Sequence, residues 1–222
     1  MVPIRDAATV IVLREGRHVL MGQRSANAVF MPGKFVFPGG AVDQGDAAIA
    51  LAGALNPRCA ARLARDSHLA ADTLAATAIR EVWEETGQRL SRPSNWPDAP
   101  PDWQGFAAPG QRPDASGLQF VFRAITPPGS PRRFDARFFL ADAARLSTDP
   151  DDFSYAAPEL GSVQWVSLAQ ARTFDLPFIT QIVLAELDAR LGGHDPADIP
   201  FMRDYDEQHA FERLGGQSPL DH

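Results

Sequence analysis

Apolar and polar residues near the N-terminus follow a pattern typical of β-structure. The runs AATVIVL (7–13) and HVLMGQR (18–24) are rich in aliphatic and β-branched residues, and the polar stretch between them contains Gly16. Two such runs joined by a short turn with glycine predict a β-hairpin. In the next stretch, MPGKFVFPGG (31–40), residues 35–37 predict a short strand that ends in a Pro-Gly-Gly corner.

The pattern then changes to a helical period. Residues 47–71 are rich in alanine and are interrupted by an Asn-Pro pair, which predicts two short helices. The segment ADTLAATAIREVWEET (71–86) has helical periodicity throughout. We expect Asp72 to cap its N-terminus and Gly87 to end it.

Prolines dominate residues 91–117, where six of them exclude regular helix or central strand. A loop of this length inside a domain is usually functional or disordered. Because Trp96, Trp103 and Phe106 lie within it, we predict an ordered, packed flap.

Strand patterns return after the flap. In RRFDARFFLA (132–141), Arg133, Asp135 and Arg137 alternate with apolar residues, which predicts a strand with a charged face. GSVQWVSL (161–168) predicts a further strand.

A last helix is predicted at residues 177–191, with Pro177 in its first turn. The tail, residues 192–222, is polar and rich in turn-forming residues. Strands and helices in this mixed order predict an α/β fold, with a mixed sheet covered by helices on both faces. We expect one domain over residues 1–222.

Charge and composition narrow the functional classes. The net charge of −7 disfavours non-specific nucleic-acid binding, and a single cysteine, Cys59, excludes an intrachain disulfide. No signal peptide and no apolar run long enough to span a bilayer are recognisable. We therefore predict a cytoplasmic protein without nucleic-acid or membrane partners.

Three carboxylates crowd one arc of the 71–86 helix. Glu81, Glu84 and Glu85 are spaced so that their side chains can reach one point, although such like-charge pairs cost about 0.2–0.5 kcal/mol each. An ion pair between Arg80 and Glu84 on a solvated face would offset part of this cost. A hard divalent cation such as Mg²⁺ would offset more of it, since it prefers carboxylate oxygens.

The rest of the chain favours the cation. REVWEETG (80–87) resembles the second half of the Nudix box, G-x5-E-x7-R-E-U-x-E-E-x-G-U with U aliphatic, and FPGGAVDQGD (37–46) resembles the first half. On this alignment an insertion of roughly 26 residues splits the box, and surface insertions of this kind cost little chain entropy. The chain departs from the pattern in Asp46, where the family has Glu, and in Gln88, where it has an aliphatic residue.

A second stretch is similar to the peroxisomal-type branch of coenzyme A diphosphatases and its bacterial relatives. LMGQRSANAVFMPGKFVFPGG (20–40) follows the segment that precedes the box in that branch, although Val29 stands where a basic residue is expected. ITPPGSPRRFDARFF (125–139) adds to the likeness. The resemblance extends over residues 6–191.

The resemblance implies a Nudix fold, an α/β/α sandwich with a helical insertion and a proline-rich flap. It also implies Mg²⁺- or Mn²⁺-dependent hydrolysis of a nucleoside diphosphate linked to another group, with coenzyme A or acyl-CoA favoured. The ligands it implies are the carboxylates of Glu81, Glu84 and Glu85 and the carbonyl of Gly40. The general base is left open between Glu81 and Glu159.

Other residues receive supporting roles from the same comparison. We expect Arg80 to orient a carboxylate while pointing away from the metal, with Asp46 as its partner. Guanidinium groups bind phosphates in bidentate fashion, so Arg24, Arg133 and Arg137 are candidate substrate ligands. For each the alternative is an ordinary strand-surface charge, with Asp135 able to pair Arg133 and Arg137.

Two further functions stay open. The same chemistry could act on ADP-ribose, a dinucleotide or a sugar nucleotide, because Val29 weakens the coenzyme A assignment. A nucleotide-binding Nudix-like domain without catalysis is the third reading. The predicted partner is a small nucleotide-containing substrate, and a homodimer is left open.

Overall fold

A mixed β-sheet organises the chain. The structure is a computed structural model that describes residues 2–194, 198–205 and 208–213, with side chains described as far as residue 203. Its strands are β1 (Ile4–Arg14), β2 (His18–Arg24), β3 (Phe35–Val36), β4 (Gly39–Ala41), β5 (Ser91–Pro93), β6 (Gln111–Pro113), β7 (Gln119–Ile125), β8 (Arg133–Asp142), β9 (Leu160–Ser167), β10 (Pro200–Tyr205) and β11 (Gln208–Arg213). Its α-helices are α1 (Pro57–Leu63), α2 (Ala71–Thr86), α3 (Gln104–Ala107), α4 (Leu168–Ala171) and α5 (Phe178–Leu191).

The sheet order is β11-β10-β7-β8-β1-β2-β3, with β4 paired to β1 and β9 paired to β2. Strand β1 runs parallel to β8 and antiparallel to β2 and β4, so the sheet is mixed, as predicted. The predicted hairpin is confirmed: β1 and β2 pair through Leu13 and Val19, and the turn residues Glu15 and Gly16 both have positive φ.

Apolar side chains on the two sheet faces form two cores. On one face Ala8, Val10 and Val12 of β1 pack against α2, and on the other Ile11 packs among residues that include those of α5. Successive strand residues point to opposite faces, which is why one strand serves both cores. Helices therefore cover both faces, and the predicted α/β/α arrangement is confirmed.

The inserted segment differs from its prediction of two short helices. Only α1 is α-helical there, and a 3-10 helix at Gln44–Ala48 precedes it. The Asn-Pro pair starts α1 instead of separating two helices, because the Asn56 side chain accepts a hydrogen bond from the Arg58 N–H at 2.9 Å. The N-cap of α2 is Ala70, so the Asp72 assignment is wrong; Asp72 lies in the first turn.

The proline-rich flap is ordered and packed, as expected. Trp96, Trp103 and Phe106 are buried, and Trp103 contacts Trp83 of α2 with ring centroids 6.5 Å apart. The expectation that prolines exclude regular structure is too strong. The short helix α3 fits between prolines, and β5 pairs with β6 in a separate two-stranded sheet.

The C-terminal tail forms strands, which the polar pattern did not predict. β10 pairs parallel with β7, Phe201 lying opposite Arg123, and β11 pairs antiparallel with β10. Phe201 and Ile199 are buried against the sheet. Residues 214–222 of the predicted tail lie outside the described residues. Within the described ranges no helix has both the length and the hydropathy required to cross a bilayer.

Candidate active site

Two glycines bring β4 against helix α2. A Cβ atom built on Gly40 would lie 2.5 Å from both carboxylate oxygens of Glu81, so a larger residue would displace that side chain. The N–H of Gly39 donates to Glu85 Oε2 at 2.8 Å. At the predicted Pro-Gly-Gly corner the backbone thus approaches the helical carboxylates closely.

Helix α2 ends where predicted. Gly87 has a φ of 76°, in the left-handed region, and its N–H donates to the carbonyl of Trp83. This C-cap places Glu84 and Glu85 in the last turn, at the end of the helix dipole that disfavours negative charge. A charge arrangement of this kind is unfavourable unless something positive lies nearby.

Arg80 is the guanidinium at the centre of these carboxylates. Its Nη1 donates to Glu81 Oε1 at 2.8 Å and to Glu84 Oε2 at 2.9 Å, and its Nη2 donates to the Ala41 carbonyl. The side chain is 6% exposed. The expectation that Arg80 points away from the carboxylate cluster is therefore wrong, since burial makes it satisfy its donors on the acids around it.

Asp46 holds the other side of Arg80. Its Oδ1 accepts from Arg80 Nε at 2.9 Å, and its Oδ2 accepts from Arg80 Nη2 at 3.0 Å and from the Thr77 hydroxyl at 2.7 Å. The shorter side chain reaches its partner because the 3-10 helix at Gln44–Ala48 lies directly on α2. Two parallel hydrogen bonds fix the plane of the guanidinium, so Asp46 and Arg80 orient one another.

The acidic side chains are short of positive charge. Burial raises the pKa of Glu85 to about 8, and the charge of Glu81 adds to this, against the opposing effect of the Gly39 N–H. Burial also raises the pKa of Glu81 to about 7, although Arg80 opposes it. Burial likewise raises the pKa of Glu84. One guanidinium does not compensate for the surrounding carboxylates.

The residues fit a hard divalent cation in donor type and charge, but not in their present positions. Within the described residues no three acidic, histidine or cysteine side chains converge in a way that could hold a metal ion. Glu81 and Glu84 instead direct oxygens at Arg80. The donor set is all oxygen, as Mg²⁺ requires, and Gly40 leaves the approach to Glu81 free of a side chain.

Arg24 lies at the end of β2, and Glu159 lies in the turn before the neighbouring strand β9. Glu159 immediately precedes Leu160 of β9, whose partner in the ladder is Arg24 of β2. The Arg24 charge lowers the pKa of Glu85 and the Glu159 charge raises it, which puts both within electrostatic reach of the cluster. Arg24 donates from Nε to the Phe30 carbonyl at 3.0 Å, and Glu159 is exposed.

The other two arginines are engaged within the protein. Arg137 is 1% exposed and pairs with Asp6 and, at 3.3 Å, with Asp135. Arg133 donates from Nε to the Thr126 carbonyl at 2.9 Å. Asp135 pairs with Arg137 as the alternative reading had it, but its second partner is Arg123, at 2.6 Å, rather than Arg133.

Gln88 has a role that its position in the pattern did not reveal. It is fully buried; its Nε2 donates to the Asp149 and Asp152 carbonyls at 3.1 and 2.8 Å, and its Oε1 accepts from the Thr148 hydroxyl. It therefore anchors the start of residues 148–159, here termed the α2-end loop, to the end of the helix. The one signal in the sequence was a polar residue where the motif has an aliphatic one.

A separate cleft of about 1080 Å³ lies away from these residues. Its lining includes Arg14, Arg58, Phe120 and Arg145, and none of the predicted site residues. Volume alone would direct attention there, but the paired glycines and crowded carboxylates lie elsewhere.

Comparisons with known proteins show a likeness to Nudix hydrolases. No family model matches the chain. A curated Caenorhabditis elegans protein named "Putative nudix hydrolase 7" is 28% identical over 176 residues, which cover 73% of this chain and 51% of that protein. The chain therefore spans about half the length of this curated relative.

Solved structures extend the likeness to the fold. A crystal structure of a Nudix hydrolase from Alicyclobacillus acidocaldarius is 28% identical, with a TM-score of 0.64 over 85% of this chain and 93% of that one. The Nudix domain of Shewanella oneidensis NrtR, solved with ADP-ribose, has a TM-score of 0.50 at 14% identity, covering 86% of this chain and 90% of that chain. At that identity the second likeness concerns the fold alone.

Proposed function

We propose that this chain is a Nudix hydrolase, as its 28% identity to a curated relative and to a solved structure supports, and that it acts as a divalent-metal-dependent diphosphatase. Its substrate would be a nucleoside diphosphate linked to another group, and coenzyme A or an acyl-CoA is the favoured example. The observation that carries the proposal is the contact between the Gly39–Gly40 corner and the carboxylates of Glu81 and Glu85.

We further propose that the Nudix box is split by the segment between Asp46 and the α2 helix. Asp46 is separated from Arg80 by 34 positions, yet the two side chains form paired hydrogen bonds. This contact supports Asp46 as the counterpart of the box's first acidic residue. The inserted segment then leaves the functional contact intact, in keeping with the small entropic cost of surface insertions.

Glu81, Glu84, Glu85 and the Gly40 carbonyl are the proposed ligands for Mg²⁺ or Mn²⁺. When bound, such ions lower the pKa of water and neutralise phosphate oxygens. Arg80 would hold the carboxylates in place before the ion arrives, since it already bonds to Glu81 and Glu84. Asp46 keeps the plane of the Arg80 guanidinium fixed while the carboxylates turn from Arg80 to the ion.

The remaining roles concern the proton and the phosphates. Glu159 and Glu81 are the proposed alternatives for the general base: Glu159 is exposed and able to turn toward solvent, while the pKa of Glu81, about 7 in the absence of an ion, is near the range a base requires. Arg24, whose charge lowers the pKa of Glu85, is the arginine we retain for contact with substrate phosphate. Arg133 is engaged with a backbone carbonyl and Arg137 with two aspartates, which favours structural roles for both.

A panel of linked diphosphates, assayed with Mg²⁺ or Mn²⁺ and with products identified by mass, tests the proposal. Release of 3′-phospho-ADP and 4′-phosphopantetheine from coenzyme A is the expected result. Cleavage confined to ADP-ribose, dinucleotides or sugar nucleotides would transfer the assignment to those substrates, as the exposed Val29 allows. A nucleotide that binds without being cleaved under either metal would refute catalysis.

A further inference from the structure

Arg89 is a half-buried cation without an acidic partner. It follows Gln88 directly after helix α2, and its Nη2 donates to the Gly105 carbonyl of the flap at 3.2 Å. Its Nε is buried and has no hydrogen-bond partner, and no carboxylate of the described residues lies within ion-pair distance. Its guanidinium carbon lies 6.0 Å from the centre of the Phe106 ring. An anion that binds to a cation held in this way would stabilise it through charge-assisted hydrogen bonds.

Tyr155 presents an aromatic ring at the end of helix α2 from which Arg89 extends. The residue is 75% exposed, an unusual position for a large ring with apolar surface. Its Cβ packs on the C-cap of α2, since a Cβ built on Gly87 would lie 3.0 Å from it. Gly87 precedes Arg89 by two positions in the chain, so both side chains start at the same end of the helix.

The α2-end loop that carries Tyr155 is fixed at several points. Gln88 bonds to the carbonyls of Asp149 and Asp152 near its start, and the Ala157 N–H donates to the Glu84 carbonyl at 3.2 Å. Leu160, just past its end, packs against Gly22 of β2. Tyr155 is therefore held over the end of the same helix that carries the catalytic carboxylates.

We propose that Arg89 and Tyr155 form a subsite for the nucleotide half of the substrate. The base stacks on the exposed Tyr155 ring, and Arg89 binds a phosphate outside the scissile bridge. Gln88 is a positioning residue for this subsite, because it fixes the loop without reaching the substrate. The proposal rests on the diphosphatase function proposed above and specifies which part of the substrate is selected.

The chemistry suits a nucleotide better than a bare polyphosphate. Every base offers a π-face, so stacking on one ring accepts different bases, whereas a substrate without an aromatic ring gains nothing from Tyr155. A planar guanidinium binds phosphate oxygens in pairs and adds directional selectivity. The flap contributes by holding Arg89 through Gly105 and Phe106.

Calorimetric titration of the whole chain with 3′-phospho-ADP, whose 3′-phosphate lies outside the bridge, and with inorganic pyrophosphate, both in Mg²⁺, tests this subsite. We expect Arg89→Gln and Tyr155→Ala each to weaken 3′-phospho-ADP binding by about tenfold, as the loss of one charge-assisted bond or one stacked base predicts. Pyrophosphate affinity should stay within about twofold of the wild type, because pyrophosphate lacks the ring and the outer phosphate. Tyr155→Phe, which keeps the ring, and Arg17→Gln, at an exposed arginine on the β1–β2 turn, are the controls that should bind 3′-phospho-ADP normally.

Three results would overturn the subsite: unchanged 3′-phospho-ADP affinity in both variants, an equal loss for 3′-phospho-ADP and pyrophosphate, or no 3′-phospho-ADP binding by the wild type. Thermal unfolding midpoints show whether Arg89→Gln folds; if it does not, Tyr155→Ala, at an exposed position, carries the test. For an active enzyme, the variants should raise KM for the linked diphosphate with little change in kcat. If the wild type binds 3′-phospho-ADP through Arg89 but cleaves nothing, the diphosphatase function fails while the subsite stands.

Discussion

Two clusters of charge lie on the same face of the sheet and differ in their balance. The balanced cluster, on the sheet itself, combines two arginines and two aspartates: Arg123, Arg137, Asp6 and Asp135. The acidic cluster, on α2 and the segment before it, sets one arginine against four carboxylates: Arg80, Asp46, Glu81, Glu84 and Glu85. Arginine side chains in both are almost fully buried.

The difference separates a structural role from a functional one. In the balanced cluster each charge has an opposite charge in contact, and Arg123 also bonds to the carbonyls of residues 65 and 66, which joins the inserted segment to the sheet. In the acidic cluster the pKa values of Glu81 and Glu85 rise to about 7 and about 8 because positive charge is lacking. Buried ions that are paired neutralise one another within the fold, whereas an uncompensated set is positioned to bind a cation.

Glu84→Gln should lower the activity that we assign to the acidic cluster without unfolding the protein. The change removes one of the repelling charges, and Arg80 keeps Asp46 and Glu81 as partners. We expect turnover of the linked diphosphate to fall by about a hundred- to a thousandfold, the range for loss of one electrostatic stabiliser of a transition state. Steady-state kinetics with saturating Mg²⁺ measures it. Glu15→Gln, on the exposed β1–β2 turn, is the matched control, and a normal rate in Glu84→Gln would remove the metal assignment.

Arg137→Met should have the opposite effect: it should lower stability and leave activity unchanged, because Asp6 and Asp135 each lose a partner. We expect the free energy of unfolding to drop by about 3 kcal/mol, since removal of one member of a buried ion pair leaves the remaining charge buried without compensation. Urea unfolding gives the value, and the kcat of the folded fraction should be close to that of the wild type. A variant as stable as the wild type but without activity would make Arg137 part of the site, as a substrate ligand.

The sign of the pH dependence provides a finer comparison. The folded pKa of Glu85, about 8, exceeds its ordinary value of 4.5, so the folded state holds the proton more tightly than the unfolded state. Its contribution to stability is complete below pH 4.5 and is lost as the pH rises through about 8. In EDTA the wild type should therefore lose more stability between pH 6 and pH 9 than Glu85→Gln does, by an amount on the order of 2 kcal/mol.

Urea unfolding of both proteins at the two pH values measures this difference. Mg²⁺ should reduce it, because an ion replaces the proton as the partner of the carboxylate. Parallel pH slopes for the wild type and Glu85→Gln in EDTA would show that Glu85 ionises normally. That result would contradict the claim that Glu85 lacks positive charge nearby.

Features that depend on near neighbours in the chain were predictable. The β1–β2 hairpin and the Gly87 C-cap each follow from a few consecutive residues with a single favourable backbone solution. The approach of Gly40 to Glu81 was implied only through the family resemblance, because no local pattern joins the two positions.

Features that depend on distant partners were missed. Gln88 is satisfied by backbone carbonyls about sixty positions later, so its burial could not be inferred from the polar side chain. The direction of Arg80 depends on where the segment holding Asp46 folds back. β10 belongs to a tail that is polar and rich in turn-forming residues. Its pairing with β7, a distant strand, makes it part of the sheet, and the local sequence does not reveal that partner.

Binding of Mn²⁺ to the acidic cluster is the most direct measurement, made by calorimetric titration at pH 8 in the absence of substrate. The account predicts that the wild type and Glu15→Gln bind the ion with equal affinity and that Glu85→Gln binds it at least about tenfold more weakly. It also predicts that protons are released on binding, because the carboxyl pKa values are raised. Equal affinity in the wild type and Glu85→Gln, or no binding to either, would contradict it.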